Sequence, residues 1–155
     1  MPGSTPFDLI DHEYLKLQDI TEKNDDRALQ IKGWSVTVSL AGVIAALASD
    51  KLTDARRAQA LIAAAVAAVA FWLIEAFWRT SQRAFFARIN AIEDAFRIGT
   101  ETTLTPFQIG HSWMASYRAH PQRVFWHIAS EWRTMLPHLL VALLALIGAG
   151  LHALV

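Results

Sequence analysis

The stretch that decides the fold class is residues 58–78, AQALIAAAVAAVAFWLIEAFW. A helix needs roughly 20 mostly apolar residues to cross the hydrocarbon core of a bilayer, and this stretch offers that length with one charged side chain, Glu75. Residues 136–155, LPHLLVALLALIGAGLHALV, have the same character. Residues 34–49, WSVTVSLAGVIAALAS, are shorter and need extending at both ends. The sequence therefore predicts an all-α integral membrane protein with three transmembrane helices.

The composition favours a membrane protein over a soluble helical bundle. Hydrophobic residues make up 54% of the chain and charged residues 18%, whereas soluble domains average about 25% charged residues. A soluble fold would need a polar shell that covers three nearly uncharged stretches, and the remaining residues are too few to build it. Residues 1–30 lack the apolar core of a signal peptide, so the first apolar stretch is expected to be a retained span.

Charge and cysteine content exclude several classes of function. The 14 basic and 14 acidic residues balance, which argues against a nucleic-acid partner because such proteins carry a basic footprint. Without cysteine there is no disulfide framework, thiolate nucleophile or zinc–cysteine site. No catalytic or cofactor motif occurs, so neither an enzyme nor a cofactor is predicted. His127 and Glu131 have a spacing seen at metal sites, but a surface ion pair is the preferred interpretation, and no metal is expected.

The distribution of lysine and arginine predicts the orientation in the membrane. Four basic residues precede the first apolar stretch, three lie between the first two stretches, and seven lie between the second and the third. With three spans, eleven basic residues fall on one side and three on the other, and basic residues prefer the cytoplasmic side. We therefore expect a multi-pass protein of the cytoplasmic (inner) membrane, with its N-terminus inside and its C-terminus outside. Trp34, Trp78 and Trp132 are predicted anchors at the inner interface.

Four segments follow from this layout. They are a cytoplasmic N-terminal helix (1–32), a transmembrane hairpin (33–78), a cytoplasmic helical region with an interfacial helix (79–135) and a C-terminal transmembrane helix (136–155). The first and third segments are amphipathic helical extensions, and the N-terminal helix is expected to continue directly into the first span. A helix at residues 122–134 has an apolar face and is predicted to lie in the membrane interface or against the bundle.

Two faces in the polar segments predict that these extensions pack together. One face of the N-terminal helix is formed by residues that recur at three- and four-residue steps. They are Tyr14, Leu17, Thr21, Asn24, Ala28 and Ile31. The helix that leaves the second span shows a seam of similar spacing, at Phe85, Ile89, Ile92 and Phe96. Gly99 is the predicted C-cap of this second helix.

Glu75 is the strongest candidate for a functional residue. A carboxylate inside a span costs about 2.5–3.5 kcal/mol at mid-membrane and often has a role there. The alternative is an interfacial glutamate paired with Arg79, four residues further on. Ser35, Thr37 and Ser39 add polarity to the first span, although their two-residue steps prevent all three from sharing one face. Helix packing is preferred for these hydroxyls over a lined path.

Small residues indicate close contact between the first two spans. Gly42 and Ala46 lie four residues apart on the first span, and Ala64 and Ala68 have the same spacing on the second. Small residues at this spacing let helix backbones approach each other. A short loop nearly forces the two spans to pack as a hairpin. Both spans carry more small surface than one hairpin uses, so contact between identical copies is also expected.

The order of these parts resembles the SLATT family of small bacterial membrane effectors. The region of resemblance is residues 14–99, with a basic lead-in at residues 27–32, the hairpin, and the long exit helix that contains Glu75. The resemblance implies a two-span hairpin with flanking cytoplasmic helices and a pore-forming function. It is one of architecture, without a diagnostic motif, and the third span departs from the family pattern.

Three interpretations of function remain open. The first is a small homo-oligomeric channel or pore-forming effector. The second is a non-catalytic accessory or structural subunit, whose protein partners lie in a larger membrane complex. The third, a membrane enzyme or small transporter, would require polar groups that converge near mid-membrane, and only Glu75 and the histidines are available. The lipid bilayer is a partner in all three.

Overall fold

The computed structural model describes residues 5–153 of the chain. It contains five α-helices, namely α1 (Pro6–Ala48), α2 (Asp54–Ile98), α3 (Ile109–Ala119), α4 (Pro121–Ala129) and α5 (Trp132–Ala153). A 3₁₀ turn at Glu101–Thr103 precedes α3. The described residues contain no strand, so the predicted all-α class is confirmed.

Among the residues that the structure describes, three helices have the length and apolarity of membrane spans. They are α1, α2 and α5, whose most apolar segments have mean hydropathies of 1.6, 2.3 and 2.0. The N-terminal helix continues without a break into the first apolar stretch, as predicted, because no proline interrupts it. Gly99 has a φ of 76°, and the amide of Thr100 donates to the carbonyl of Ala95 at 2.8 Å. This is a Schellman end, which confirms the predicted C-cap of α2.

The prediction of one amphipathic helix over residues 122–134 is wrong. The structure divides that segment, because α4 ends at Ala129 and α5 begins at Trp132, before the predicted start of the third span. At the break, the Ser130 hydroxyl donates to the carbonyl of Trp126 at 2.8 Å, and the amide of Glu131 bonds to Ile128, three residues earlier, at 3.1 Å. The carbonyl of Glu131 then accepts the amides of Thr134 and Met135 and starts the new helix.

The helices form two compact units. Within residues 5–153, the first contains residues 5–27 and 78–125, and the second contains residues 28–77 and 126–153. Both α1 and α2 contribute residues to each unit. The first unit is called the polar unit below, and the second, which holds the three apolar stretches, is called the apolar unit. The division into four segments, two cytoplasmic and two transmembrane, stays a prediction from the sequence.

The polar unit is built on the two predicted faces. Its buried core is Ile10, Leu17, Ile89 and Ile92, with Tyr14, Phe85, Leu104 and Ile109 packed around it. The expected packing of the N-terminal helix on the exit helix is therefore confirmed. Where the face of α1 turns polar, the side-chain amide of Gln82 donates to the backbone carbonyl of Thr21 and to the carboxylate of Asp25, both at 3.1 Å. These bonds satisfy polar groups that the packing buries.

A buried ion pair fixes the connection after α2 within the polar unit. Glu13 accepts Arg88 at 2.9 and 3.1 Å. The same carboxylate accepts the backbone amides of Phe107 at 2.9 Å and Gln108 at 3.2 Å. These bonds hold Phe107 at a φ of 62°, a left-handed conformation that costs a non-glycine residue roughly 1–2 kcal/mol.

The core of the apolar unit consists mainly of small side chains. Its buried residues are Val43, Ala46, Ala58, Leu61, Ala64, Ala65, Ala68, Val141, Ala142, Ala145 and Ala149. A Cβ on Gly42 would lie 3.5 Å from Ala64, and one on Gly148 would lie 3.2 Å from Leu61. The backbones of the three apolar helices therefore approach closely, as small residues allow.

Candidate functional site

Three polar side chains meet inside the apolar unit. Ser35 on α1 and Glu75 on α2 are 0% exposed, and His138 on α5 is 1% exposed. Each lies on the buried face of its helix because helical spacing places it in line with core residues. Ser35 aligns with Val43 through Ser39, and His138 aligns with Val141 and Ala142. The burial of these side chains therefore follows from the same periodicity that builds the core.

The three residues and Lys32 form one continuous hydrogen-bonded group, which we call the polar cluster. Ser35 Oγ lies 2.6 Å from His138 Nδ1, and His138 Nε2 lies 2.8 Å from Glu75 Oε2. Lys32 Nζ lies 3.1 Å from Glu75 Oε1. The Lys32 side chain is 21% exposed, so the cluster reaches toward solvent at this member.

Pro137 leaves a backbone carbonyl of α5 without its helical donor, and Lys32 bonds to that carbonyl. A proline in a helix has no amide hydrogen, so the carbonyl four residues earlier loses its usual donor. Here that carbonyl belongs to Arg133, and it accepts Lys32 Nζ at 2.9 Å. One lysine on α1 is thereby bound to a carboxylate on α2 and to the backbone of α5. The polar cluster joins all three apolar helices.

The hydrogen-bond pattern assigns roles to the imidazole of His138. The Glu75 carboxylate can only accept, so His138 Nε2–H donates to it. Nδ1 on the other side of the ring is bonded to the Ser35 hydroxyl, so both ring nitrogens have partners. The Lys32 ammonium is a counter-ion of the Glu75 carboxylate. Removing one partner of a buried ion pair typically costs about 3–5 kcal/mol, so the four groups depend on one another.

Two further hydroxyls lie next to the polar cluster. Ser39 is one turn after Ser35 on α1, and Thr134 is one turn before His138 on α5, each 1% exposed. Within residues 5–153, Ser39 Oγ and Thr134 Oγ1 have no hydrogen-bond partner. A buried hydroxyl without a partner costs roughly 1–3 kcal/mol. The interior of the apolar unit therefore holds more hydrogen-bonding capacity than this conformation uses.

The predicted polar candidates separate into two groups. Ser35, Ser39 and Glu75 are buried together, whereas Thr37 is exposed, as expected from the two-residue spacing of the hydroxyls. Arg79 is half-buried one turn after Glu75. The sequence interpretation missed Lys32 and His138 as members of the site. An available signal was the presence of ionisable residues in or beside three different spans, since such residues usually pair across helices.

The predicted packing residues and anchors also have defined positions. Ala46, Ala64 and Ala68 are buried in the apolar core, and Gly42 faces Ala64. Trp34 and Trp132 are largely exposed, and Trp78 is half-buried. The guanidinium of Arg27 lies 5.3 Å from the centre of the Trp78 ring.

The remaining histidine contacts lie away from the polar cluster. His152 lies 3.1 Å from Asp54, which also pairs with Arg57 at 3.0 Å. His127 and Glu131 approach to 3.4 Å with both side chains at the surface, in agreement with the predicted surface pair. Across residues 5–153, no group of three histidine, cysteine or acidic side chains is arranged to hold a metal ion.

Comparisons with protein-family models, with curated proteins and with solved structures find no match to this chain. They therefore give no information on the resemblance to the SLATT family, which stays a prediction from architecture.

Proposed function

We propose that this chain is a small homo-oligomeric membrane protein that acts as a channel or pore-forming effector. The observation that carries the proposal is the polar cluster, which is buried among three helices that are otherwise apolar. Intramembrane ionisable residues are expensive and commonly mark ion or proton pathways. In this proposal the chain is not an enzyme and needs no cofactor.

Insertion into a membrane is supported by the surface of the apolar unit. The exposed face of α5 is formed by large aliphatic side chains, including Leu139, Leu140, Leu143, Leu144, Leu146 and Ile147. Contiguous apolar patches of more than a few hundred Å² are rare on soluble monomers, whereas lipid tails cover such a face without cost. The excess of basic residues supports an inner-membrane orientation with the polar unit and the N-terminus in the cytoplasm.

The proposal assigns this conformation to a closed state. Beyond the polar cluster, the core from Val43 and Leu61 to Ala149 is apolar, and hydrophobic constrictions block ions by excluding water. Opening would separate the helices and hydrate Ser39 and Thr134, whose buried hydroxyls have no hydrogen-bond partner among residues 5–153. Their unused hydrogen-bonding capacity supports a second, wetter arrangement of the same helices.

Assembly into several copies is supported by the exposed side of α1. Ala41, Ala45 and Ala48 are exposed there at steps of four and three residues, separate from the small residues that pack α1 on α2. Such a stripe lets helices of neighbouring copies approach closely in lipid.

Two measurements test this function together. Native mass spectrometry of the protein in mild detergent should show a defined ring of several identical copies. In liposomes, Glu75→Gln should raise ion flux about tenfold over wild type, because a lost hydrogen bond to a charged group is worth roughly 1.5–3 kcal/mol of the closed state. Thr37→Val, on the exposed side of α1, is the matched control and should leave flux unchanged. A monomer that passes no ions in either form would overturn the proposal.

A non-catalytic accessory subunit of a larger membrane complex is the second candidate. It is favoured by apolar side chains that the polar unit leaves exposed, namely Phe7 at 57%, Ile98 at 66% and Phe107 at 75%. In the cytoplasm these side chains would face water unless a partner protein covered them. Copurification of a single copy with a fixed set of other subunits would favour this candidate over the channel.

A further inference from the structure

We propose that a cavity between the first turns of α1 and the last turns of α2 binds a small organic cation of the alkylated-ammonium class. The cavity, which we call the aromatic cavity, has a volume of about 280 Å³, near the lower end of the range for small-molecule sites. It lies within the polar unit. The site does not require the protein to conduct ions, and it applies equally to a channel or to an accessory subunit.

Helical spacing places the lining residues on two facing stripes. On α1 they recur at three- and four-residue steps from Phe7 to Tyr14, and on α2 they lie within one turn of Ile92. Ile10 and Ile92 form the floor, since they are 3% and 2% exposed and belong to the core of the polar unit. The other lining residues flank this core, and all of them are aromatic or acidic.

Three aromatic side chains form the walls of the aromatic cavity. The rings of Phe7 and Phe96 meet edge to face, with centroids 5.4 Å apart and planes at 76°. Tyr14 is held by its hydroxyl, which donates to Glu93 Oε1 at 2.8 Å. This hydrogen bond raises the pKa of Tyr14, so the phenol keeps its proton and its place in the wall. The face of an aromatic ring is negative and attracts a cation, and two rings near a right angle can present two such faces to one ligand.

The charged side chains along the aromatic cavity are negative. Asp11 and Glu93 line it. A neighbouring cavity of about 240 Å³ shares Phe7 and Phe96 with it and adds Glu101. Within residues 5–153, Glu101 Oε2 is buried without a hydrogen-bond partner, and neither cavity is lined by a described lysine or arginine. Three carboxylates without a basic side chain between them favour a cationic ligand over a neutral or anionic one.

Alkyl groups on the cation suit the rest of the lining. A hydrated metal ion would give up water to an isoleucine floor and aromatic walls, which offer no oxygen ligands in return. An alkylated ammonium places its carbon atoms on the apolar floor and its charge against the rings and carboxylates. Phe7 and Phe96 are 57% and 41% exposed, so the ligand would also cover apolar surface. Ile98 and Phe107 do not line this cavity, and their exposure needs a separate partner.

The test is saturation-transfer NMR of the full chain in dodecyl maltoside micelles, which contain no ammonium headgroup. The probes are choline and its neutral carbon isostere, in which a tert-butyl group replaces the trimethylammonium group. The two molecules have the same shape, so a difference in Kd reports the charge alone. We expect choline to bind at least about tenfold more tightly than the isostere, because two ring faces and the carboxylates act on the charge.

Two substitutions separate the contribution of the rings from that of the carboxylates. Phe96→Leu keeps an apolar contact but removes one ring, and Glu93→Gln removes one charge but keeps an acceptor for the Tyr14 hydroxyl. Each should raise the Kd of choline roughly five- to tenfold and leave the Kd of the isostere nearly unchanged. Both side chains are exposed, so the variants should keep the circular dichroism of the folded protein.

Each substitution has a matched control elsewhere in the polar unit. Phe86→Leu removes a ring that is 42% exposed on α2 and lines neither cavity. Glu22→Gln removes an exposed carboxylate of α1 that lies about 16 Å from Asp11 along the helix. Both variants should bind choline like the wild type.

Three results would overturn the proposal. The first is equal affinity for choline and its isostere, and the second is choline binding that Phe96→Leu and Glu93→Gln leave unchanged. The third is an oligomer that Phe7→Ser dissociates in native mass spectrometry, since this face would then be a contact between copies. A protein that binds choline as expected but passes no ions would reject the channel and keep the cation site.

Discussion

Removal of the charges at Lys32 and Glu75 should reveal strong coupling between them. In Lys32→Met, the fully buried Glu75 carboxylate loses its ammonium partner. Breaking a fully buried pair in this way lowers the free energy of unfolding by about 3–5 kcal/mol. Because the Lys32 side chain is 21% exposed, we expect Lys32→Met to lower it by less, about 2–3 kcal/mol. Glu75→Leu leaves His138 Nε2–H without an acceptor, which costs roughly 1–3 kcal/mol.

The double variant Lys32→Met/Glu75→Leu should be more stable than the two single losses predict. Replacing a whole buried pair by apolar groups of similar volume is often neutral or stabilising. In the double variant the carboxylate is also gone, so the cost of burying it without its ammonium partner no longer applies. We expect a coupling free energy of about 2 kcal/mol between the two positions. For a chain of this size it corresponds to a change of roughly 4–8 °C in Tm.

The assay is thermal unfolding of all four proteins in lipid nanodiscs, followed by circular dichroism. Thr37→Val is the matched control, because the residue is exposed one turn or less from Ser35 and Ser39, and it should change stability by less than about 0.5 kcal/mol. Single effects that add up in the double variant would show that the contact between Lys32 and Glu75 contributes no coupling. That result would refute the reasoning on which the polar cluster rests.

Three other changes test the packing of the two units. Glu13→Ala should destabilise the polar unit by about 3–5 kcal/mol, because it leaves Arg88 buried without its partner, and hydrogen exchange should show loss of protection at the Phe107 amide. Leu61→Ala, at a fully buried core position, should cost about 2–5 kcal/mol in thermal unfolding. Gly99→Ala should cost about 1 kcal/mol by the same assay, because its φ of 76° is strained for any residue with a Cβ; an unchanged Tm would show that the end of α2 rearranges.

The position of the polar cluster links the stability of the apolar unit to its proposed function. Its members come from α1, α2 and α5, so a change at any one of them alters contacts with both other helices. The surrounding core is mostly alanine, which gives little burial per side chain and allows helices to separate at low cost. A small number of polar contacts can therefore decide which arrangement of the three helices is favoured.

Local sequence patterns determined the elements of the fold. The three apolar stretches were enough to predict three long apolar helices. The thickness of the bilayer fixes how many consecutive apolar residues a span needs, and that number can be looked for in the sequence. The faces from Tyr14 to Ile31 and from Phe85 to Phe96 predicted the packing in the polar unit, because polar and apolar residues alternate there with helical period. Gly99 marked the end of α2, since glycine adopts the left-handed conformation that closes a helix.

The break at Ser130 did not follow from the sequence pattern. The apolar face of residues 122–134 has helical spacing across the break, so periodicity alone predicts one helix. At the break the amide of Glu131 bonds to Ile128, three residues earlier, and the carbonyl of Glu131 starts a new helix. A switch from a four-residue to a three-residue step leaves the spacing of the apolar residues nearly unchanged, so the sequence pattern does not reveal it.

Only the tertiary structure decided that Lys32, Ser35, Glu75 and His138 form one site. His138 is separated by 103 residues from Ser35 and by 63 from Glu75, so their meeting depends on how each helix is rotated about its axis. In a soluble helix the polar face fixes that rotation, because it must point to water. In α5 and in residues 58–78 of α2 almost every face is apolar, and such a face can contact lipid or core equally well. The rotation is therefore set by close packing of glycine and alanine between helices, which is a property of the assembled unit and not of any one stretch of sequence.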